Sequence, residues 1–237
     1  MLPLIPIAAA AAGAAAITRG GPALMPLLPP LAKAMKVPLG LPDETAEVAI
    51  TFDDGPHPEG TPEVLRILAE RQIKATFFLV GERVEAEPRL AAEIKEQGHA
   101  IALHCHLHRN ALRLSATQCR DDIARARDVI GNATGVECAL QRAPLGIYTR
   151  PFLAEVRAAG LQPWLWSQWG RDWRARATPD SIVTDATATL TGGDVILLHD
   201  GDDYSAAGSH RNTVAALPRI LDRIGQLGLA ATTLPGA

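Results

Sequence analysis

Val48-Ala49-Ile50-Thr51-Phe52-Asp53-Asp54-Gly55-Pro56 is the stretch from which the fold can be read. Its first five residues are β-branched or apolar, a run too short for a helix and rich in strand formers. Two acids end it, and Gly55-Pro56 turns the chain. Thr61 then offers an N-cap with Pro62 at the first helical position, and Val64, Leu65, Ile67 and Leu68 supply the buried face of a helix. A buried strand, a polar turn and an amphipathic helix form one unit of a strand–helix alternation.

The alternation continues downstream. Ala75 to Val80 is predicted as a strand closed by Gly81, and Pro88 to Gln97 as a helix stopped by Gly98. Ala100 to Leu103 is a short strand, and Ser115 with Gln118 forms a capping box for a helix faced by Ile123, Ala126 and Ile130. A strand near Ala139 to Arg142 precedes a helix from Thr149 to Ala159. Gln162 to Trp166 is predicted as a strand, and Thr178 caps a helix to about Leu190. Val195 to Leu198 is a buried strand, Val214, Leu217, Leu221 and Ile224 stripe the last helix, and a final strand lies near Leu229 to Leu234. Seven β segments alternating with six helices imply an α/β domain with a parallel sheet, either an incomplete barrel or an open doubly wound sheet. In both, ligands sit at the carboxyl ends of the strands, so every candidate functional residue should be found there.

Upstream, Thr18 to Glu47 is rich in Pro, Gly, Ala and Leu, and six prolines there would interrupt most helices. Residues 1–47 therefore read as an apolar leader and connector ahead of one domain over 48–237. Met1 to Ile17 is apolar throughout, and the first charge is Arg19. The leader is expected to be a signal peptide or a membrane anchor, which would place the protein outside the cytoplasm or on the cell envelope. An Ala/Pro-rich segment lying on the domain surface is the alternative.

Composition narrows the partner. Hydrophobic residues make up 47% and charged residues 21%, which is globular, and the net charge of −3 comes without a dense Lys/Arg run. That argues against nucleic acid, whose binding requires phosphates to be neutralised. A neutral or weakly charged substrate fits. Three cysteines without C-x-x-C spacing exclude a disulfide scaffold.

The polar residues that end the predicted strands carry the chemistry. Asp53 and Asp54 are adjacent on an extended chain, so one can face a metal while the other faces substrate. His104 and His108, four residues apart after the third strand, could reach one ion. Two imidazoles and one carboxylate make an open zinc-type site. His99 and His106 flank this pair and read as structural. Arg142 ends the fourth strand, Asp172 follows the fifth, and His199 ends the sixth. Of the four tryptophans, Trp164 and Trp166 share strand parity and are expected to pack in the wall, leaving Trp173 as the groove residue.

These residues resemble the motifs of the polysaccharide deacetylases with a NodB-type domain, carbohydrate esterase family four. Thr51-Phe52-Asp53-Asp54-Gly55-Pro56 is similar to the first motif, and Gly98 to His108 to the second. Arg142-Ala143-Pro144-Leu145-Gly146 is similar to the third, Asp172-Trp173 to the end of the fourth, and Leu198-His199 to the fifth. The motifs stand in family order. The resemblance implies a distorted (β/α)7-type barrel that hydrolyses the N-acetyl groups of GlcNAc-containing glycans. It also implies a divalent metal, zinc or else cobalt, on Asp54, His104 and His108. By the same resemblance Asp53 would be the base, His199 the acid, Asp172 its orienting partner and Arg142 the anchor of Asp53. The backbone N–H of Leu145 would stabilise the oxyanion, and Trp173 and Leu198 would shape the acetyl pocket. One departure is Trp169, where the fourth motif often has another acid.

Overall fold

A computed structural model describes residues 19–42 and 45–237. The expected leader over residues 1–17 lies outside them. Among the described residues no helix is long and apolar enough to cross a membrane.

Eight strands form one sheet in which every pairing is parallel. They are β1 (Glu47–Asp53), β2 (Thr76–Leu79), β3 (Ala100–Leu103), β4 (Leu140–Gln141), β5 (Gln162–Pro163), β6 (Gln168–Trp169), β7 (Val195–His199) and β8 (Ala230–Thr232). Their order is β5-β4-β3-β2-β1-β7-β6, with β8 paired to the start of β1. Consecutive strands β5 and β6 thus stand at opposite edges. The five steps from Pro163 to Gln168 span at most about 17 Å, whereas the edges of seven flat strands would be about 29 Å apart. The sheet must curl until its edges approach. Of the two architectures the alternation allows, the structure takes the incomplete (β/α)7 barrel.

Helices α1 (Pro29–Ala34), α2 (Gly60–Glu70), α3 (Gly81–Ala86), α4 (Pro88–Glu96), α5 (Ala116–Thr134), α6 (Arg150–Ala158), α7 (Pro179–Thr187) and α8 (Ser209–Gln226) surround the sheet. Three of the caps read from sequence are present, but Thr61 lies inside α2, which follows Glu59, and its hydroxyl bonds Asp200 instead of capping the helix. Ser115 and Gln118 close a capping box on α5, and Thr149 and Thr178 accept N–H groups at the starts of α6 and α7. Two further readings differ. The strand expected over Gln162 to Trp166 stops at Pro163, because Arg142 takes the Leu165 carbonyl as an acceptor and Leu165 N–H bonds Pro38 instead of a neighbouring strand, and β6 forms only beyond it. The connector between residues 19 and 42 is also not loose. Pro22 sits in the first turn of a 3₁₀ turn (Gly21–Leu24) and Pro29 and Pro30 in that of α1, where no N–H is needed, and Met25, Ala32 and Val37 join the common core.

Gly60 opens α2 against the exit of β7, where a Cβ would lie 2.0 Å from the Asp200 carbonyl oxygen. Gly60→Ala must push these two backbones apart. The expected cost is about 1–3 kcal/mol, seen as a lower urea midpoint with an unchanged slope.

Candidate active site

The registers bring the polar strand ends together. Asp53 pairs with His199 across β1 and β7, and Leu103 with Gln141 across β3 and β4, so His104 and Arg142 leave their strands side by side. Asp54, Cys105 and Leu145 all have positive φ, of 78°, 70° and 60°. Non-glycine residues seldom adopt that conformation, and here three sit where strands turn into the cavity.

Asp54, His104 and His108 converge. Asp54 Oδ1 is 3.5 Å from His104 Nε2 and 3.3 Å from His108 Nε2, and one donor atom from each lies within 4.8 Å of the others. Yet Asp54 Oδ1 is buried without a hydrogen-bond partner among the described residues. A buried, unpartnered carboxylate oxygen is costly unless a cation completes it. Burial holds His104 well below the usual histidine range and lowers His108 to about 4, so both rings keep a lone pair for a cation. Burial also lifts Asp54 to about 7 against the opposing field of His199. The donor set fits a divalent cation.

A second triad, His57, Asp202 and His210, has similar spacing and the opposite chemistry. His57 Nδ1 accepts the N–H groups of Glu59 and Gly60 at 3.3 and 3.0 Å. The neutral ring must therefore carry its proton on Nε2, which faces Asp202 Oδ1 at 3.1 Å. With no lone pair on that nitrogen, His57 offers a cation no donor toward Asp202, and His210 packs beside the pair from the first turn of α8, its Nδ1 3.3 Å from Asp202 Oδ2.

Asp53 is held from beneath. Arg142, fully buried, donates from Nη1 to Asp53 Oδ1 at 2.7 Å and to Thr51 Oγ1 at 2.8 Å, and from Nη2 to the Leu165 carbonyl at 2.8 Å. Its guanidinium also lies 4.0 Å over the Phe78 ring. Burial raises the Asp53 carboxyl above the usual range, with Arg142 pulling the other way. One oxygen is tied to arginine, and the other stands 3.8 Å from His104 Nδ1.

His199 stands beside Asp53 at the end of the neighbouring strand β7. Asp172 Oδ1 is 2.8 Å from His199 Nδ1, while its Oδ2 accepts the His199 backbone N–H at 2.7 Å and the Thr213 hydroxyl at 2.8 Å. That fixes the ring with Nε2 toward the cavity, 4.0 Å from Asp54 Oδ2. Burial disfavours the imidazolium, but Asp172, by charge and hydrogen bond, and then Asp54 and Asp53 together outweigh it and lift His199 to about 10.

The cavity has a volume of about 180 Å³. Trp166, Trp169 and Trp173 line it in succession, with ring centroids 5.7 and 5.6 Å apart, and the Trp173 ring meets His199 edge-on at 5.5 Å. Trp166 therefore belongs to the groove and not only to the wall, because the strand ends before it. Arg142 Nε lacks a partner among the described residues. Leu198 requires correction. It is fully buried and packed toward Gly170, away from the cavity, while Leu197 lines it. Side chains two apart on a strand share a face, so Leu197 is the one that accompanies His199.

Tyr204 was not apparent from the sequence. Its ring stacks on His108 at 4.3 Å, and its hydroxyl donates to Glu82 Oε1 at 2.6 Å. It comes from the loop between β7 and α8, whose polar composition carries no signal of contact with a histidine so distant along the chain. His99 and His106 lie outside the cavity lining. His99 Nδ1 accepts the Ala75 N–H at 3.2 Å.

The family model for polysaccharide deacetylase matches residues 41–164. A chitooligosaccharide deacetylase of Bradyrhizobium sp. (strain ANU 289) is 35% identical over 198 residues, covering 81% of this chain and 90% of that protein. A peptidoglycan-N-acetylglucosamine deacetylase of Bacillus cereus is 36% identical over 196 residues, covering 82% of this chain and 89% of that protein. A crystal structure of a peptidoglycan N-acetylglucosamine deacetylase superposes with a TM-score of 0.80 at 29% identity, covering 87% of this chain and 95% of that one.

Proposed function

The chain belongs to the polysaccharide deacetylase family, and on that premise we propose that it hydrolyses the N-acetyl amide of GlcNAc-containing glycans with a divalent cation on Asp54, His104 and His108. The observation that carries this reading is the unpartnered Asp54 Oδ1 between two neutral imidazoles, with Asp53 and His199 on either side. Zinc is the first candidate for the cation and cobalt the second. When bound, the cation supplies Lewis-acid polarisation of the amide carbonyl and acidifies water.

The chain's own residues account for the remaining steps. Asp53 takes a proton from the attacking water through the oxygen that Arg142 leaves free. His199 donates from Nε2 to the departing amine, a poor leaving group until protonated, and Asp172 holds the ring in the tautomer and charge this requires. The backbone N–H of Leu145, turned by its positive φ, serves the developing oxyanion. Trp173 and Leu197 enclose the acetyl methyl, and Trp166 and Trp169 extend an aromatic wall for a pyranose face.

The test is acetate release by the full chain from N-acetylated chitooligosaccharides, compared with O-acetylated xylan. Release from the first, lost with a chelator and restored by zinc or cobalt, is the expected result. Turnover of xylan alone, or indifference to chelation, would reject the proposal.

Asp172→Asn should shift the pH profile in a defined direction. Without the aspartate charge, only Asp54 and Asp53 still oppose burial at His199, and its pKa falls from about 10. The acid is active when protonated, so the alkaline limb of the rate should move to lower pH. Stability follows the same sign. In the parent protein the raised pKa contributes fully below the ordinary value of 6.5 and is lost as pH rises through about 10. The variant should show a weaker dependence in pH-resolved urea melts.

A further inference from the structure

We infer that a strip of exposed leucines beside the cavity mouth is a docking surface for an anionic phospholipid bilayer. Among the described residues, the exposed large apolar side chains are Leu24, Leu27, Leu28, Leu112, Leu145 and Leu227, between 39% and 65% exposed. All but Leu227 fall in one strip. A Cβ on Gly20 would lie 3.3 Å from Leu112, and one on Gly146 would lie 3.2 Å from Pro26. The segment from Arg19 to Leu28 therefore runs from the turn bearing Leu112 to the turn bearing Leu145, carrying three more leucines between them. Pro22 and Met25 are buried, so the segment is anchored by these two residues while its leucines remain in water. A lone exposed leucine needs no explanation, whereas a contiguous strip of them does.

Two features of the chain select lipid as the occupant. Residues 1–17 are apolar at every position and lead directly into this segment. A run with no polar side would expose as much apolar surface as it hid if it lay over the leucines, and the hydrocarbon of a bilayer removes that conflict. Before Asp43 the chain has Arg19, Lys33 and Lys36 and no acid, and Arg113 adjoins Leu112. Basic groups around an apolar strip suit anionic headgroups, and they repel a second copy of the same face. Leu145 belongs to the strip and also lines the cavity, so docking would turn that side of the cavity mouth toward the membrane.

The experiment uses the full chain with a single cysteine introduced for an environment-sensitive fluorophore. Cys105, Cys119 and Cys138 are all buried, so an exposed L27C can be labelled selectively. L227C is the control, since Leu227 precedes β8, which pairs with the start of β1 at the opposite end of the barrel. Vesicles of phosphatidylcholine and phosphatidylglycerol, with and without brominated acyl chains, are added to each. The expected result is a blue shift and bromine quenching at position 27, with neither at position 227. Water-like emission at both positions while the protein floats with the vesicles would overturn the inference, leaving the leader as the sole contact. Apolar emission at position 27 before lipid is added would overturn it too, with sedimentation then separating coverage by the leader from self-association. No readout depends on deacetylation, so failure here and failure of the proposed activity are distinguishable.

Discussion

Asp53→Asn is expected to lower turnover by about 10²–10⁴-fold, the usual share of a positioned base, while leaving divalent-cation content unchanged. The amide keeps the size of the carboxylate and an oxygen for Arg142, which now donates to Asp53 at 2.7 Å. It has no basicity with which to take a proton. The three convergent donors belong to Asp54, His104 and His108, and none is altered. Stability should fall as well, because the fully buried guanidinium loses its counter-charge. Breaking a buried pair outright costs about 3–5 kcal/mol, and the retained hydrogen bond should keep this variant near or below the lower figure. Metal analysis beside steady-state kinetics separates the effects. Loss of the cation, or turnover at the parent rate, would contradict the assignment of Asp53.

His104→Ala should abolish cation binding together with activity. His104 is 1% exposed, so no solvent ligand easily replaces its imidazole, and only Asp54 and His108 remain. The clearest readout is thermal and independent of turnover. A ligand at 100 times its Kd stabilises the folded state by about 2.7 kcal/mol, so added zinc should raise the parent melting temperature and leave the variant's unmoved. An equal zinc-induced shift in both proteins would move the cation elsewhere. The His57 triad predicts the opposite outcome: His57→Ala should leave the zinc response intact, because the His57 nitrogen that faces Asp202 already carries a proton.

Much of this site is legible in the sequence because of one physical regularity. A parallel strand buried on both faces is apolar along its length, so a charged residue at its end stands out, as Asp53-Asp54, His104, Arg142 and His199 do. The helix caps are legible for the same local reason, since Ser115, Thr149 and Thr178 act on N–H groups within three residues. Leu197 and Leu198 mark where that reading fails. Both are apolar, and only strand parity relative to His199 decides which one faces the cavity. The groove role that Trp166 adds to its place in the wall escapes parity for a related reason, because the strand is cut short by a hydrogen bond from Arg142, distant in the sequence.

By itself, the sequence determined the α/β alternation, the caps and the identity of the groups that end the strands, because these depend on neighbours a few residues apart. Tertiary structure alone decided that the sheet curls, since the short link from Pro163 to Gln168 must join its two edges. It also decided that Tyr204 covers His108, that Leu197 faces the cavity, and which of two His-Asp-His triads keeps a lone pair for a cation. Those outcomes depend on where side chains far apart along the chain come to rest, and on which hydrogen bonds the surrounding backbone has already claimed.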